Sequence, residues 1–229
     1  MIGVVPMNHS RDGLGDRMKN FYEKRNQTYL IRRMPVIIRL DGRAFHTLTK
    51  HCIKPYDYDL INCMQMTTEF LMKEIQGAKI GYTQSDEISI LLTDYDELTT
   101  DAWFGYNVQK MVSSAAALAS VKFTDEWERL GCFDARCFNI PKEEVNNYFR
   151  WRSADWIRNS ISMLAQFRFS PKALHGKRRH EQLQMLLDKG VDWHDQQPMV
   201  KLGTTYTSGG THIINWMEES PEIFSELYE

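Results

Sequence analysis

The chain has 229 residues, 42% hydrophobic and 25% charged, which suits one globular domain, or a core with a small appendage, around a substantial interior. Its net charge of −2 excludes a global basic field, so any RNA or DNA site must be a local patch. Four cysteines without paired CxxC spacing argue against zinc, and no apolar run approaches the ~20 residues that a membrane-spanning helix needs.

Met1 to Asn8 has no basic stretch and too few apolar residues for a signal peptide, so a cytoplasmic protein is expected, with Cys63 and Cys137 reduced in its core. Arg11 to Lys24 has the spacing of an amphipathic helix, with Leu14, Met18 and Phe21 on a side that would cover the core. From Pro35 a β-branched apolar run reads as a buried strand and breaks at Asp41-Gly42. A carboxylate at the end of a buried strand needs a hydrogen-bond partner, a cation or a metal. Gly42 lets backbone N–H groups turn toward a ligand. Thr47 to Tyr58 is irregular around Lys54-Pro55, where Lys54 fits a solvated loop or a phosphate contact. Asp59 to Gln76 repeats Leu60, Met64, Thr67, Leu71 and Ile75 at helical spacing.

Ala78 to Leu92 reads as strand, turn, strand, with Gln84-Ser85-Asp86-Glu87 at the turn. If this hairpin lies beside the first strand, Asp86 and Glu87 come next to Asp41. Acids on neighbouring strands suit two Mg²⁺ ions about 3.5–4 Å apart, the arrangement for phosphoryl transfer. Two separate turn acids are the competing reading. Ala102 to Lys122 is a second helix carrying Lys110 and a run of small residues, Ser113 to Ala117, that predicts tight packing. Phe133 to Ile140 is a further strand, stopped by Pro141. The order β-α-β-β-α-β predicts an α+β, ferredoxin-like palm: an antiparallel sheet with both helices on one face and the acid-bearing strands at its centre. The palm with its N-terminal helix would occupy residues 1–141, and a mostly helical region, 142–229, would pack on it.

In that second region Lys142 to Phe169 is helical. Arg150, Arg152, Arg158 and Arg168 alternate with Tyr148, Phe149, Trp151, Trp156, Phe167 and Phe169. Such a surface stacks and neutralises an RNA strand, or buries its rings and leaves the arginines solvated. Lys177-Arg178-Arg179 is a compact basic cluster open to the same two readings. After Gly190 the chain loosens, with Ile213-Ile214 as a small strand and an acidic end in which Ser220-Pro221 can start a helix.

Five segments in series are similar to the tRNA-histidine guanylyltransferase family. They are Arg39-Leu-Asp-Gly-Arg-Ala-Phe-His46, Lys54-Pro55, Gln84-Ser-Asp-Glu87, Phe133-Asp-Ala-Arg136 and Trp151-Arg-Ser-Ala-Asp155. The resemblance runs from about Pro35 to about Thr204. It implies a palm polymerase that extends RNA in the 3′-to-5′ direction, with Mg²⁺, nucleoside triphosphates including GTP and ATP, a tRNA partner and a homotetramer. Carried over, Asp41 and Asp86 resemble metal-binding carboxylates, with the Gly42 carbonyl as an added ligand and Glu87 supporting them. Gly42, Arg43, Ala44, Phe45 and His46 would cradle a triphosphate with Ser85 beside them. Lys54, Asp57, Lys110 and Arg136 match positions that handle phosphates or the activated RNA end, and Lys201 to Thr204 resembles a late basic-Gly-Thr segment.

The chain departs from the enzymes that add one guanylate to tRNA-histidine. Ile157 stands where a His-Ile-Asn-Asn type motif would begin, Tyr56 where many members carry Asn, and Asn107 where Arg is expected. The resemblance is therefore closer to the guanylyltransferase-like branch that repairs truncated tRNA 5′ ends by templated addition. A nucleotide cyclase on the same palm and a non-catalytic RNA-binding module are the rival classes.

Overall fold

The structure, a computed structural model, describes residues 13–218. The expected helix start at Arg11 and the segment around Ser220-Pro221 lie outside them. In chain order the elements are α1 (Leu14–Met18), β1 (Val36–Gly42), α2 (Phe45–Leu48), α3 (Tyr58–Glu74), β2 (Ala78–Gln84), β3 (Glu87–Leu92), α4 (Val108–Trp127) and β4 (Phe133–Asn139). They continue with α5 (Lys142–Arg168), α6 (Pro171–Leu174), α7 (Arg179–Leu187), α8 (Pro198–Leu202), β5 (Thr204–Thr207) and β6 (Gly210–His212).

The strands form one antiparallel sheet in the order β4-β1-β3-β2-β5-β6. Its first four strands with α3 and α4 are the expected palm, and β1 and β3 lie side by side. Val36, Ile38 and Leu40 alternate onto one face and pack with Met64 and Leu71 of α3 and with Ala115, Ala119 and Phe123 of α4. Ile37 and Leu91 face the other way, against Val145, Tyr148 and Phe149 of α5. Both faces are thus covered at Val36–Ile38 and Ile90–Leu92, where the two sequences run apolar without alternation, whereas Arg39, Asp41, Glu87 and Ser89 bring polar groups to the α5 face toward the acid end. The second half of α5 makes a third cluster with Leu186 of α7, Val200 of α8 and Trp193.

Several local expectations are corrected. Leu14, Met18 and Phe21 do not cover the core: they are 64%, 43% and 54% exposed, because α3, α4 and α5 already occupy both faces of the sheet. Regular helix there ends at Met18 and continues as wider and tighter turns to Asn26. The second helix begins at Val108, not Ala102, since the Asn107 side chain caps it by accepting from the Lys110 N–H at 3.0 Å, and it runs on to Trp127. Asn107 at the position where Arg was expected is therefore this helix's cap. Ile213-Ile214 lies just beyond β6 and is not strand; Ile214 instead fills the cluster under α5.

Candidate active site

The ends of β1 and β3 bring the sequence's acids together. Asp41 pairs in register with Glu87 on one side and with Asp134 of β4 on the other. The hairpin turn has only two residues, Ser85 and Asp86, with Ser85 in the left-handed region (φ 51°). The Gly42 N–H donates to the Asp86 carbonyl at 2.9 Å, so the β1 ladder continues into this turn and holds residues 41–42 against 86. That bond uses the N–H that was expected to face a ligand. Glycine is required at 42 for another reason: a Cβ there would lie 2.5 Å from the Phe45 ring, which folds back over it. Phe45 is itself a core residue, packed on Phe123 and Phe133 at ring distances of 4.9 and 5.1 Å.

The electrostatics of the three acids differ. Burial pushes the Asp86 carboxyl up; hydrogen bonds from its own N–H and from Ser85 Oγ (3.1 Å) pull it back, and the charge of Asp41 pushes it up further. A cation would offset the charge of Asp41 on Asp86, and Asp41, Asp86 and the Gly42 carbonyl are oxygen donors of the kind Mg²⁺ prefers. Among the described residues no group of three or more His, Cys, Asp or Glu side chains is gathered as a metal cluster. Glu87 is buried, which pushes its carboxyl up; Arg152 of α5 pulls it back through two 2.6 Å hydrogen bonds, Nε to Oε1 and Nη2 to Oε2.

Six of the expected residues, Phe45, His46, Lys54, Asp57, Ser85 and Asp86, line one cleft of about 260 Å³ beside this turn. Ala44 takes the left-handed conformation that starts α2, and Arg43 stands exposed next to it, its N–H donating to the Cys132 carbonyl at 2.8 Å. The exposed Lys54 ammonium reaches the Thr49 carbonyl at 3.4 Å, within the cleft wall. The Asp57 carboxylate is engaged by the backbone at the cleft wall. It accepts from the N–H of Leu60 (3.0 Å) and of Ile53 (2.8 Å), capping α3 and closing the 53–57 turn; burial acts to raise it, and these backbone donors hold it below the ordinary carboxylate range. Arg136 bonds Asp134 at 3.1 Å and lies 3.9 Å from Asp41, at the open side of the acid row.

Lys110 stands apart from the acids, and the expectation that Arg152 meets RNA is corrected. Lys110 is in the first turn of α4, about 20 Å along that helix from Phe123, whose ring touches Phe45; the single chain does not bring it to the acids. Arg152 does not present itself to RNA, because it is 7% exposed and bound to Glu87. Arg150 donates to the Trp216 carbonyl at 3.0 Å, and Arg158 is exposed but paired with Asp155. Lys177, Arg178 and Arg179 are exposed at the start of α7, with Lys177 on Glu181 at 3.1 Å. Asp134 and the Glu87–Arg152 pair were not anticipated as parts of the site. Asp134 had a signal, its alternation with Arg136 along a strand; the pair had none, because its partners are 65 residues apart.

An antiparallel palm with acids at the ends of its central strands and a polar cleft beside them that carries Lys54 and His46 is the architecture of a nucleotidyltransferase. The comparisons agree: the family model described as Thg1, tRNAHis guanylyltransferase, matches residues 15–141, and the chain belongs to this family. A bacterial tRNA(HIS) guanylyltransferase (Thg1)-like protein in complex with ATP superposes with a TM-score of 0.89 at 39% identity, over 94% of this chain and 99% of that one. The same type of protein in complex with GTP gives 0.83 at 38%, over 95% and 99%. The tRNA(His) guanylyltransferase of Debaryomyces hansenii is 30% identical over 61% of this chain, and the uncharacterized protein R259 of Acanthamoeba polyphaga mimivirus is 29% identical over 76% of this chain and 69% of its own. The chain spans 45–63% of the length of the curated guanylyltransferases that it matches. No helix among the described residues is long and apolar enough to cross a membrane.

Proposed function

We propose that this nucleotidyltransferase adds nucleotides in the 3′-to-5′ direction to tRNA 5′ ends, in the manner of end repair. The observation that carries the reading is the juxtaposition of Asp41 with the Asp86 turn by the Gly42–Asp86 backbone bond. The ATP and GTP complexes of the bacterial Thg1-like protein support triphosphates as its substrates.

A 5′-monophosphate has a poor leaving group and is first activated by a triphosphate, ATP or GTP, with loss of pyrophosphate. The 3′-hydroxyl of the incoming nucleotide then attacks the 5′ phosphorus; the new P–O bond forms and the nucleoside monophosphate leaves with the P–O electrons. A 5′-triphosphate end bypasses activation and releases pyrophosphate. His46, Lys54 and Ser85 line the cleft where triphosphate oxygens are received. Asp41 and Asp86, with the Gly42 carbonyl, would hold Mg²⁺, which when bound lowers the pKa of the hydroxyl and stabilises the leaving group. Base pairing with the opposite RNA strand selects the nucleotide, so the protein needs to recognise only shape and backbone.

The test is incorporation of labelled GTP into a 5′-truncated tRNA. Asp41→Asn and Asp86→Asn should each lose about a hundred- to a thousandfold in rate while remaining folded, as expected when electrostatic stabilisation of a transferring phosphoryl group is removed. Full incorporation by either variant would remove the metal assignment. Incubation with ATP or GTP alone separates the palm cyclase alternative, which yields a cyclic nucleotide and needs no RNA.

A further inference from the structure

On the α5 side of the sheet, α5 covers β3 but leaves β1 and β4 partly open. Asp134, Asp41 and Glu87 stand abreast there, and one step back along the strands Arg136, Arg39 and Ser89 form the next row. Tyr148 closes the covered side by its 2.8 Å hydrogen bond with Ser89. At the edge of the opening stands Trp151, 55% exposed. Its ring is fixed against Tyr148 at 5.9 Å, with the guanidinium carbons of Arg152 and Arg39 at 4.5 and 5.8 Å from its centre. Arg152 is committed to Glu87, and Arg136 to Asp134. The Nε of Arg39 is buried and meets no acceptor among the described residues.

A held, solvent-facing indole beside an unsatisfied buried N–H is costly for packing alone. A ligand with a flat π face and acceptor oxygens satisfies both. Arg39 and Asp41 are two residues apart on one face of β1, about 7 Å, comparable to the reach from a nucleotide's phosphorus to its base. The triphosphate cleft is elsewhere: its α5 contribution is Met163, twelve residues and about 18 Å further along that helix from Trp151.

We propose that Trp151 and Arg39 form a subsite for the 5′-terminal nucleotide of the RNA, its base stacked on Trp151 and its oxygens accepting from Arg39, with its 5′ phosphorus at Asp41. This rests on the nucleotidyl-transfer reading above and names the RNA contact within it. Guanidinia stacked near an indole suit a nucleobase and its phosphate together.

An acceptor-stem RNA carrying 2-aminopurine at its 5′ end should be quenched on binding the full chain. Trp151→Ala should abolish the quenching and Trp151→Phe should keep most of it. In nucleotide addition, Trp151→Ala should raise KM for truncated tRNA roughly tenfold, the scale of one lost base–aromatic stack, and leave KM for GTP unchanged. Arg39→Gln should weaken the RNA and flatten its salt dependence. Quenching and RNA KM that are both indifferent to Trp151→Ala overturn the subsite. A rise confined to the KM of GTP overturns it too, because the indole then serves the free nucleotide. The fluorescence readout needs no chemistry, so failure of the wild-type chain to add nucleotides would count against the enzymatic reading alone.

Discussion

At the residue scale, Asp86 is held in a state that costs stability without a cation. Asp86 has a raised pKa in the folded protein, mainly from burial and further from Asp41. The native state therefore binds a proton more tightly than the unfolded chain, and the stability this contributes is present below the ordinary aspartate value and lost as pH rises through the folded one. At neutral pH the ionised side chain is a net burden, so metal-free Asp86→Asn should melt at a higher temperature than wild type. Mg²⁺ should raise the melting temperature of wild type and do little for the variant, by the mass-action effect of a ligand on the native state. Calorimetry with and without Mg²⁺ at neutral pH checks both; a variant that melts below wild type in the absence of metal refutes the argument. Asp41 and Asp86 were legible in the sequence because each ends or interrupts an apolar strand. The use of Asp57 as a cap was not, although Asp at a helix start is a known pattern, since its place in a phosphate-handling motif suggested another role.

At the scale of elements, the strand and helix order could be read because each palm element carries its own period, and the two-residue hairpin announced itself in four residues. Relations between elements could not. The amphipathic spacing of Leu14, Met18 and Phe21 was real but said nothing about which surface was vacant. The interleaved arginines of α5 looked alike in sequence, yet one is buried on β3, one staples the chain at Trp216 and one lies in solvent on Asp155. Two of the three departures from the tRNA-histidine pattern share one cluster: Tyr56 and Ile157 pack together where α5 meets the loop before α3, and the Tyr56 hydroxyl donates to the Ser160 carbonyl at 2.7 Å. Breaking the Glu87–Arg152 pair tests how strongly α5 is tied to the palm. Arg152→Met should lower the unfolding free energy by about 3–5 kcal/mol, the usual penalty for stranding one buried charge. Glu87→Gln with Arg152→Met should recover much of it, as urea titration of the three variants would reveal. Equal losses in the single and double variants would mean that the pair is not coupled.

At the scale of the whole molecule, Lys110 sets a problem that the single chain does not solve. The resemblance implies that it meets phosphate, and its position at the far end of α4 keeps it from its own acids. We expect it to serve the site of a neighbouring copy, in keeping with the tetramer that the resemblance implies. Lys110→Ala and Asp41→Asn chains, each inactive alone, should regain activity when co-expressed and assayed as mixed assemblies. A mixture no more active than its parts would show that Lys110 does not act across copies.

The family's matched region stops at residue 141, one residue before α5 begins. Yet the counter-ion of Glu87, a palm residue, is carried on α5. Removing or exchanging the later region would leave an orphaned anion at the heart of the earlier one, and any transplant of the palm into another protein would have to bring its arginine along.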